Sequence, residues 1–324
     1  MHYKRPLVSY VLPAFNEASI VEPHLDELCR YAHSLDHSYS FEIIVVNDGS
    51  SDETGLLADA FASRHPEVHV HHHLANCGLT RALQTGFDHA RGDIIVTLDL
   101  DLSYAPHHVG TMLHALEETN AAMVLASPYM RGGQVANVPW MRKQLSVWAN
   151  RYLSIATGGR IATLTCMVRA YDAAAVRALA FRPDDMDFNH RMTFAALRNH
   201  VTVVEAPARL EWRPSGRNDA GQRRSSMRIF SHSWSVLMAG IRYRPSLLFV
   251  IPGLVPGLLP LVLALLVLIQ PPHGVSAAVT AGTITIQLLS MGFATVLAGS
   301  YIRQLRSRSR AQPVFANGKT ESNA

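Results

Sequence analysis

The strongest constraint on this chain is a long stretch without charge near its C-terminal end. Residues 245–302 contain no Asp, Glu, Lys or Arg, and two apolar runs lie inside this stretch, at residues 247–269 and 275–299. A helix rises about 1.5 Å per residue, so each run is long enough to cross the ~30 Å hydrocarbon core of a bilayer. We therefore predict a transmembrane hairpin over residues 246–301. The alternative is a buried pair of core helices.

The charges around this stretch predict its orientation. Arg242 and Arg244 precede the first run and four arginines follow the second within residues 303–310, whereas the connecting residues 270–274 have no Lys or Arg. The positive-inside rule then places both ends in the cytoplasm. Residues 226–245 have helical apolar spacing. They predict a juxtamembrane helix on the membrane surface or, alternatively, a helix packed on the main domain. Residues 302–324 are interpreted as a basic, disordered cytoplasmic tail.

Charge and cysteine usage limit the partners. The net charge of the chain is only +4. The basic residues gather on either side of the apolar stretch, which favours an anionic membrane surface over nucleic acid as the binding partner. No nucleic-acid-binding motif is found. Cys29, Cys77 and Cys166 are far apart and show no metal-ligand spacing, so we expect reduced thiols in a cytosolic compartment. The histidine tract of residues 69–73 (HVHHH) resembles a metal-binding tract. Alternation along an extended segment places His69, His71 and His73 on one face, too far apart to converge on one ion.

The first 100 residues alternate between two patterns. Apolar runs predict buried strands at residues 7–12, 41–46, 68–73 and 93–98, and helical spacing is found at residues 17–35, 54–64 and 79–90. This alternation indicates a mostly parallel sheet covered on both faces. Ligands bind beyond the carboxyl ends of such strands. Polar residues follow three of the strands, at residues 16–17, 47–52 and 99–103.

Two carboxylates follow the fourth predicted strand directly. Side chains at positions i and i+2 of a strand face the same way, so Asp99 and Asp101 are expected on one side. Such a pair suits Mg²⁺ or Mn²⁺, and a diphosphate leaving group needs such a cation to offset its developing charge. The alternative is a pair of solvated turn carboxylates.

Two further acids follow the first and second predicted strands. Asp48 could accept hydrogen bonds from a nucleobase or a ribose, or could cap the next helix. Glu17 lies in the polar segment after the first strand, at the edge of the sheet where a site is expected. Alternatively, it is a carboxylate that stabilises the N-terminus of the next helix.

Four segments occur in an order and at a spacing that resemble glycosyltransferase family 2 with the GT-A fold. They are residues 11–17 (VLPAFNE), 46–52 (VNDGSSD), 76–79 (NCGL) and 92–103 (GDIIVTLDLDLS). Residues 126–133, 142–150 and 165–171 are similar to the dolichyl- or polyprenyl-phosphate sugar transferase branch. The resemblance covers about residues 6–225, and it implies an α/β GT-A domain over residues 1–225 that uses Mg²⁺ or Mn²⁺.

The resemblance also implies roles for individual residues. The nucleotide pocket would contain Pro13, Phe15, Glu17 and Asp48. The diphosphate and metal would be bound by Asp99, Leu100 and Asp101, with Asp99 and Asp101 as metal ligands. Donor or acceptor phosphate would be bound by Arg217 and Arg224. Arg131 does not match a position of the family pattern, but as a cation it is a further candidate for a phosphate contact. Arg169 and Asp187 join Asp99 and Asp101 as expected catalytic residues.

The chain departs from the family's sequence pattern at three places, all in the part of the site expected to bind the sugar acceptor. Thr163 stands where the family often has Asp, residues 166–168 replace Ser-Gly-Phe, and Arg191 replaces a Glu. Asp185 or Asp187 could supply the missing carboxylate.

These observations predict an inverting transferase at the cytoplasmic membrane face. The sugar would pass from a GDP- or UDP-sugar to a polyprenyl or dolichyl phosphate. A lipid phosphate is already an anion near pH 7, so the protein must position it rather than deprotonate it. The alternatives are transfer to a saccharide or glycolipid hydroxyl, and a non-catalytic membrane protein that binds nucleotide sugars. A homo-oligomer is left open.

Overall fold

The computed structural model describes residues 5–178, 188–212, 236–241, 243–244 and 282. The chain divides into two compact units, residues 1–239 and 240–324, and every element named below lies in the first. The described strands are β1 Leu7–Ala14, β2 Ser40–Asn47, β3 Val68–His72, β4 Ile94–Thr97, β5 Met123–Ser127, β6 Gln134–Ala136, β7 Arg169–Asp172, β8 Val203–Pro207 and β9 Arg209–Glu211. The described helices are α1 Val21–His33, α2 Thr54–Ala62, α3 Leu79–His89, α4 His107–Thr119, α5 Trp140–Ala156, α6 Ala173–Ala178 and α7 Phe188–Arg198.

Seven strands form the main sheet, in the order β3-β2-β1-β4-β7-β5-β8. Only β7 runs antiparallel to its neighbours among these strands, so the mostly parallel α/β sheet expected from the sequence is confirmed. β6 and β9 form a separate parallel pair. The four predicted strands correspond to β1–β4 and the three predicted helices to α1–α3.

The strand order reverses beside β1. The chain passes from β1 outward to β2 and β3, and β4 then returns to the other side of β1. The N–H of Leu98 donates to the carbonyl of Val11 (3.1 Å), so the segment after β4 starts next to the end of β1. A crevice beyond the carboxyl ends of the strands at such a reversal is the usual ligand site of an open α/β sheet.

The core consists of the aliphatic strand residues and the helix faces above them. Val8, Val11 and Leu12 of β1 are fully buried. Gly86 of α3 lies against this strand, because a Cβ at Gly86 would come within 2.2 Å of the Val11 side chain. A glycine at this position therefore lets α3 lie close to the sheet.

None of the helices within the described part of the chain is long and apolar enough to cross a membrane. The predicted hairpin of residues 246–301 lies outside the described residues except for residue 282, and so does the tail of residues 302–324. Within the predicted juxtamembrane segment, residues 236–241 and 243 are helical. These membrane assignments stay predictions.

His108 of α4 is a buried polar group that ties this helix to β9. Its side chain is 8% exposed, and its Nε2 accepts the N–H of Arg209 (3.1 Å). Burial, together with the neighbouring His107, lowers the pKa of His108 to about 4. The ring is therefore neutral in the folded protein at neutral pH.

We predict that His108 makes the fold less stable in mild acid. The unfolded chain binds the proton at a pKa of about 6.5 and the folded chain only at about 4, so this residue's stabilising contribution is complete above pH 6.5 and is lost as the pH falls toward 4. Between pH 6.5 and 5 the expected loss is about 2 kcal/mol. His108→Gln keeps an acceptor but cannot titrate. Denaturant unfolding at a series of pH values should show a shallower pH dependence for this variant, and equal slopes would contradict the prediction.

Candidate donor-binding site

The loops after β1 and β2 are joined by hydrogen bonds from the backbone to side chains. Three successive N–H groups of the first loop donate to the second: Asn16 to Ser50 Oγ (3.0 Å), Glu17 to Thr54 Oγ1 (2.7 Å) and Ala18 to Asp52 Oδ2 (3.1 Å). Asn16 has a positive φ of 55°, which Asn tolerates better than most residues. These bonds occupy residues 16–18, and α1 begins only at Val21 rather than at residue 17.

Asp48 ties the β2 loop to the loop that precedes α3. Its carboxylate is nearly buried, with Oδ1 accepting the N–H of Cys77 (2.9 Å) and facing His73 Nδ1 (2.8 Å). Its Oδ2 accepts the N–H of Gly78 (2.8 Å). Gly49 follows with a φ of 65°, where a side chain would collide with the backbone of residues 75–76. The loops after β2 and β3 are therefore held together at the carboxylate expected to bind the nucleotide. That nucleotide contact stays a prediction.

Asp99 and Asp101 lie in a turn, because β4 ends at Thr97. The alternation of a strand nevertheless continues through this turn. The apolar residues Leu98, Leu100 and Leu102 are each 1% exposed, whereas Asp99 and Asp101 are half-buried. Leu102 has a φ of 46° and donates to the Asp99 carbonyl (3.1 Å), while Asp101 Oδ1 accepts the N–H of Ser103 (2.9 Å). The two aspartates are thus more exposed than the leucines that flank them, and they lie at the strand reversal beside β1.

The loop of residues 161–168 is fixed by two buried or half-buried acceptors. Asn150 Oδ1 accepts the N–H groups of Leu164 (2.8 Å) and Thr165 (3.1 Å). The Glu205 carboxylate accepts those of Ala162 and Thr163, both at 2.7 Å. Sequence reasoning missed Glu205. The signal was a single acid inside the strand Val203–Pro207.

Arg169, expected among the catalytic residues, is completely buried. Its guanidinium donates to the carbonyls of Cys166 (2.9 Å), Asn189 (2.7 Å) and Leu164 (2.7 Å), and to Thr193 Oγ1 (2.9 Å). These bonds join the loop of residues 161–168 to α7, which makes Arg169 a positioning group in this structure. A direct catalytic contact stays a prediction.

Cationic and aromatic groups lie beside the turn that carries the two aspartates. The N–H of Glu211 donates to the Ser103 carbonyl (2.8 Å), and that of Trp212 to the Ala136 carbonyl (3.2 Å). The guanidinium of Arg142, on α5, lies 4.9 Å from the Trp212 ring centroid. The end of β9 thus connects the aspartate turn to the N-terminal end of α5.

The other residues that the sequence predicts for the site differ in burial, and three of them lie outside the described part of the chain. Arg131 is exposed in the turn between β5 and β6, and Arg191 is half-buried on α7. Pro13 is half-buried within β1, and Phe15 is 42% exposed just beyond it. Asp187, Arg217 and Arg224 lie outside the described residues.

The mostly parallel α/β sheet, with two acids at its strand reversal, is a glycosyltransferase fold of the GT-A type. Residues 9–180 match the sequence profile of Glycosyl transferase family 2. The chain belongs to this family and is a glycosyltransferase.

Two curated relatives and two solved structures illustrate the similarity. The polyprenol monophosphomannose synthase of Mycolicibacterium smegmatis is 33% identical over 207 residues, 61% of this chain and 74% of that protein. The undecaprenyl-phosphate mannosyltransferase of Micrococcus luteus is 32% identical over 203 residues, 61% of this chain and 80% of that protein.

Among solved structures, a mannosyltransferase of Pyrobaculum calidifontis in complex with GDP-Man and Mn²⁺ has a TM-score of 0.56 at 17% identity, covering 93% of this chain and 88% of its own. The glucosyl-3-phosphoglycerate synthase of Mycobacterium tuberculosis, in complex with Mn²⁺, UDP and glucosyl-3-phosphoglycerate, has a TM-score of 0.52 at 18% identity, covering 74% of this chain and 80% of its own. Both structures share the fold.

We predict that Asp48 is required for stability at the site. Asp48→Asn would turn one accepting oxygen into an N–H₂ group that faces N–H donors, which should cost about 1–3 kcal/mol of unfolding free energy. Asp59→Asn is the matched control. Asp59 is 56% exposed and pairs with His72, which is 41% exposed, so this substitution should lower the free energy of unfolding by less than about 0.5 kcal/mol. Denaturant unfolding of both variants measures the difference. Equal small losses would contradict the role assigned to Asp48.

Proposed function

We propose that this glycosyltransferase moves a sugar, with inversion, from a GDP- or UDP-sugar to a polyprenyl or dolichyl phosphate at the cytoplasmic face of a membrane. The observation that carries the proposal is the position of Asp99 and Asp101 at the strand reversal, linked through Trp212 to the cationic start of α5. The names of the relatives, which specify polyprenol and undecaprenyl phosphate, support the acceptor.

On the donor side, Pro13, Phe15, Glu17 and Asp48 follow the ends of β1 and β2 and would contact the nucleoside. Asp99 and Asp101 offer carboxylate oxygens, the donor type that Mg²⁺ and Mn²⁺ prefer, so this pair fits the divalent cation found in the related folds. That cation would offset the charge of the departing diphosphate. Leu100 is buried between the two acids and would hold their spacing.

On the acceptor side, Arg142 is the best placed group for a lipid phosphate. Stacking over Trp212 orients its guanidinium, and Arg suits bidentate phosphate binding. Ser146 lies one helical turn further along α5 and hydrogen-bonds to Tyr129. Arg131 would add positive charge for the phosphate. We also propose phosphate contacts for Arg217 and Arg224 and a catalytic role for Asp187. An in-line attack by the positioned phosphate oxygen on the anomeric carbon inverts that centre and needs no strong base.

The outer face of α5 supports a position at a lipid surface. Five large apolar side chains are 45–71% exposed there: Trp140, Met141, Leu145, Trp148 and Ile155. At about 100° per residue they fall within one arc of roughly 140°. The helix carries Arg142, Lys143 and Arg151 and no acidic residue. Tryptophans beside cations on an apolar face are typical of a helix bound to an anionic bilayer.

The domain organisation completes the proposal. Residues 1–225 would form the catalytic domain and residues 226–245 a juxtamembrane helix. Residues 246–301 would anchor the protein as a transmembrane hairpin, followed by the cytoplasmic tail of residues 302–324. The apolar, charge-free sequence of the hairpin supports this assignment.

We predict that Asp99→Asn and Asp101→Asn each lower kcat about 10²- to 10³-fold, because each removes charge from the group that binds the metal and diphosphate. Formation of lipid product from polyprenyl phosphate and a panel of GDP- and UDP-sugars, with Mg²⁺ or Mn²⁺, measures the effect. Asp88→Asn, on the exposed surface of α3, should retain the wild-type rate. Absence of lipid product with every donor, under conditions where a known transferase is active, would overturn the proposed function.

We also predict that the apolar face of α5 sets the affinity for the lipid acceptor. The double substitution Leu145→Gln and Trp148→Gln should raise KM for polyprenyl phosphate in vesicles about tenfold, because apolar contact with the bilayer is lost. KM for the nucleotide sugar should not change. Leu56→Gln with Leu74→Gln is the control, since both leucines are strongly exposed and lie outside α5. Equal effects of the two double variants would contradict a specific role for α5.

A further inference from the structure

Three potential metal ligands converge at the point where the loops after β2 and β3 meet. Asp48 follows β2, His73 follows β3 and Cys77 precedes α3, and their donor atoms all lie within 4.8 Å of one another. Asp48 is buried, His73 is half-buried and Cys77 is exposed. An ion from solvent would therefore reach the cluster from the thiol side.

The three cysteines show no metal-ligand spacing among themselves, and the histidine tract of residues 69–73 is too extended to bind one ion by itself. His73 is nevertheless separated from Cys77 by three residues, a spacing found in zinc sites. The third ligand is contributed by a loop 25 residues earlier, so the sequence alone does not reveal the set.

We propose that Asp48, His73 and Cys77 bind a zinc-class cation. Imidazole and thiolate select borderline ions such as Zn²⁺ over Mg²⁺ and Mn²⁺, which prefer oxygen ligands. Bonds of about 2.0 Å to nitrogen and oxygen and about 2.3 Å to sulfur place the donors of a tetrahedral zinc roughly 3.3–3.5 Å apart. Side-chain adjustments of about 1 Å would close the set, and a solvent molecule would supply the fourth ligand.

The surroundings already orient two of the three ligands. His73 Nε2 lies 2.9 Å from Thr85 Oγ1, and Asp48 is held by the N–H groups of Cys77 and Gly78. On metal binding, His73 would shift to the tautomer protonated at Nε2 and donate to Thr85, which frees Nδ1 for the ion. The thiol of Cys77 would lose its proton to solvent. Such outer contacts typically change metal affinity 10- to 100-fold.

A second cluster provides an internal control. Cys29, His65 and Glu67 meet the same distance limit, but the Cys29 side chain is buried. Burial raises the pKa of the Cys29 thiol to about 12. Because zinc binds the thiolate, the accessible Cys77 is the better ligand.

The zinc site has a consequence for the enzyme, and this consequence rests on the proposed function. If Asp48 contacts the donor nucleotide, a cation bound to Asp48 competes with that contact. Zinc would then oppose donor binding, whereas Mg²⁺ or Mn²⁺ at Asp99 and Asp101 supports it. Two cation sites of opposite effect would lie in one crevice.

Direct metal binding tests the site without reference to catalysis. The purified full chain is titrated with Zn²⁺ against a chromogenic chelator, and with Co²⁺ while thiolate-to-cobalt charge-transfer absorption is recorded. Cys77→Ser should abolish this absorption, and Cys77→Ser and His73→Gln should each weaken Zn²⁺ binding at least about tenfold. Thr85→Val should weaken it about tenfold through the orientation of His73. Cys29→Ser should match the wild type. Equal Zn²⁺ affinity in all variants, or loss only in Cys29→Ser, would overturn the proposal.

Nucleotide binding then separates the two hypotheses. Affinities for GDP and UDP are measured with Mg²⁺, with and without Zn²⁺. We expect Zn²⁺ to weaken binding of the preferred nucleotide to the wild type at least about tenfold, reversibly with a chelator, and to have little effect on Cys77→Ser. Failure to bind either nucleotide without Zn²⁺ would count against the proposed function. If zinc binds through Cys77 but the affinity for nucleotide is unchanged, the proposed competition between zinc and nucleotide is wrong.

Discussion

The position of β1 between two parallel partners is the constraint on which the site depends. β1 pairs with β2 on one side and with β4 on the other, and all three strands run in the same direction. Their following loops therefore emerge at one edge, which brings Asp48, Asp99 and Asp101 to the same end of the sheet. No individual loop encodes this meeting. It follows from the parallel pairing of β1 with both neighbours and from the reversal of strand order at β1.

The loops at this edge are held by polar contacts rather than by apolar packing. Asp48, Asn150 and Glu205 each accept two backbone N–H groups from a loop distant in sequence. A site for a polar or charged ligand cannot be filled with aliphatic side chains. Buried or half-buried carboxylate and amide acceptors stabilise such loops and also satisfy N–H groups that would otherwise be costly to bury.

The sequence predicted the local features and missed those that depend on distant partners. Aliphatic runs predicted the first four strands, because strands covered on both faces must be apolar. The late start of α1 was missed because it depends on side chains from the next loop. The contacts of Glu205 and the approach of Cys77 to Asp48 were missed for the same reason. Arg169 was recognised from its motif, but its burial becomes visible only when α7 and the loop of residues 161–168 come together.

The close approach of α3 to β1 links the interior of the protein to the rim of the crevice. Gly78 and Cys77, whose N–H groups bond to Asp48, stand immediately before the first turn of α3. Gly86, two turns later in the same helix, sets how near that helix lies to Val11. A methyl group added at position 86 would collide with the Val11 side chain, so either that side chain or α3 would have to move. The apolar packing distance between α3 and β1 therefore bears on the position of Cys77 and Gly78, which hold the Asp48 carboxylate at the other end of the helix.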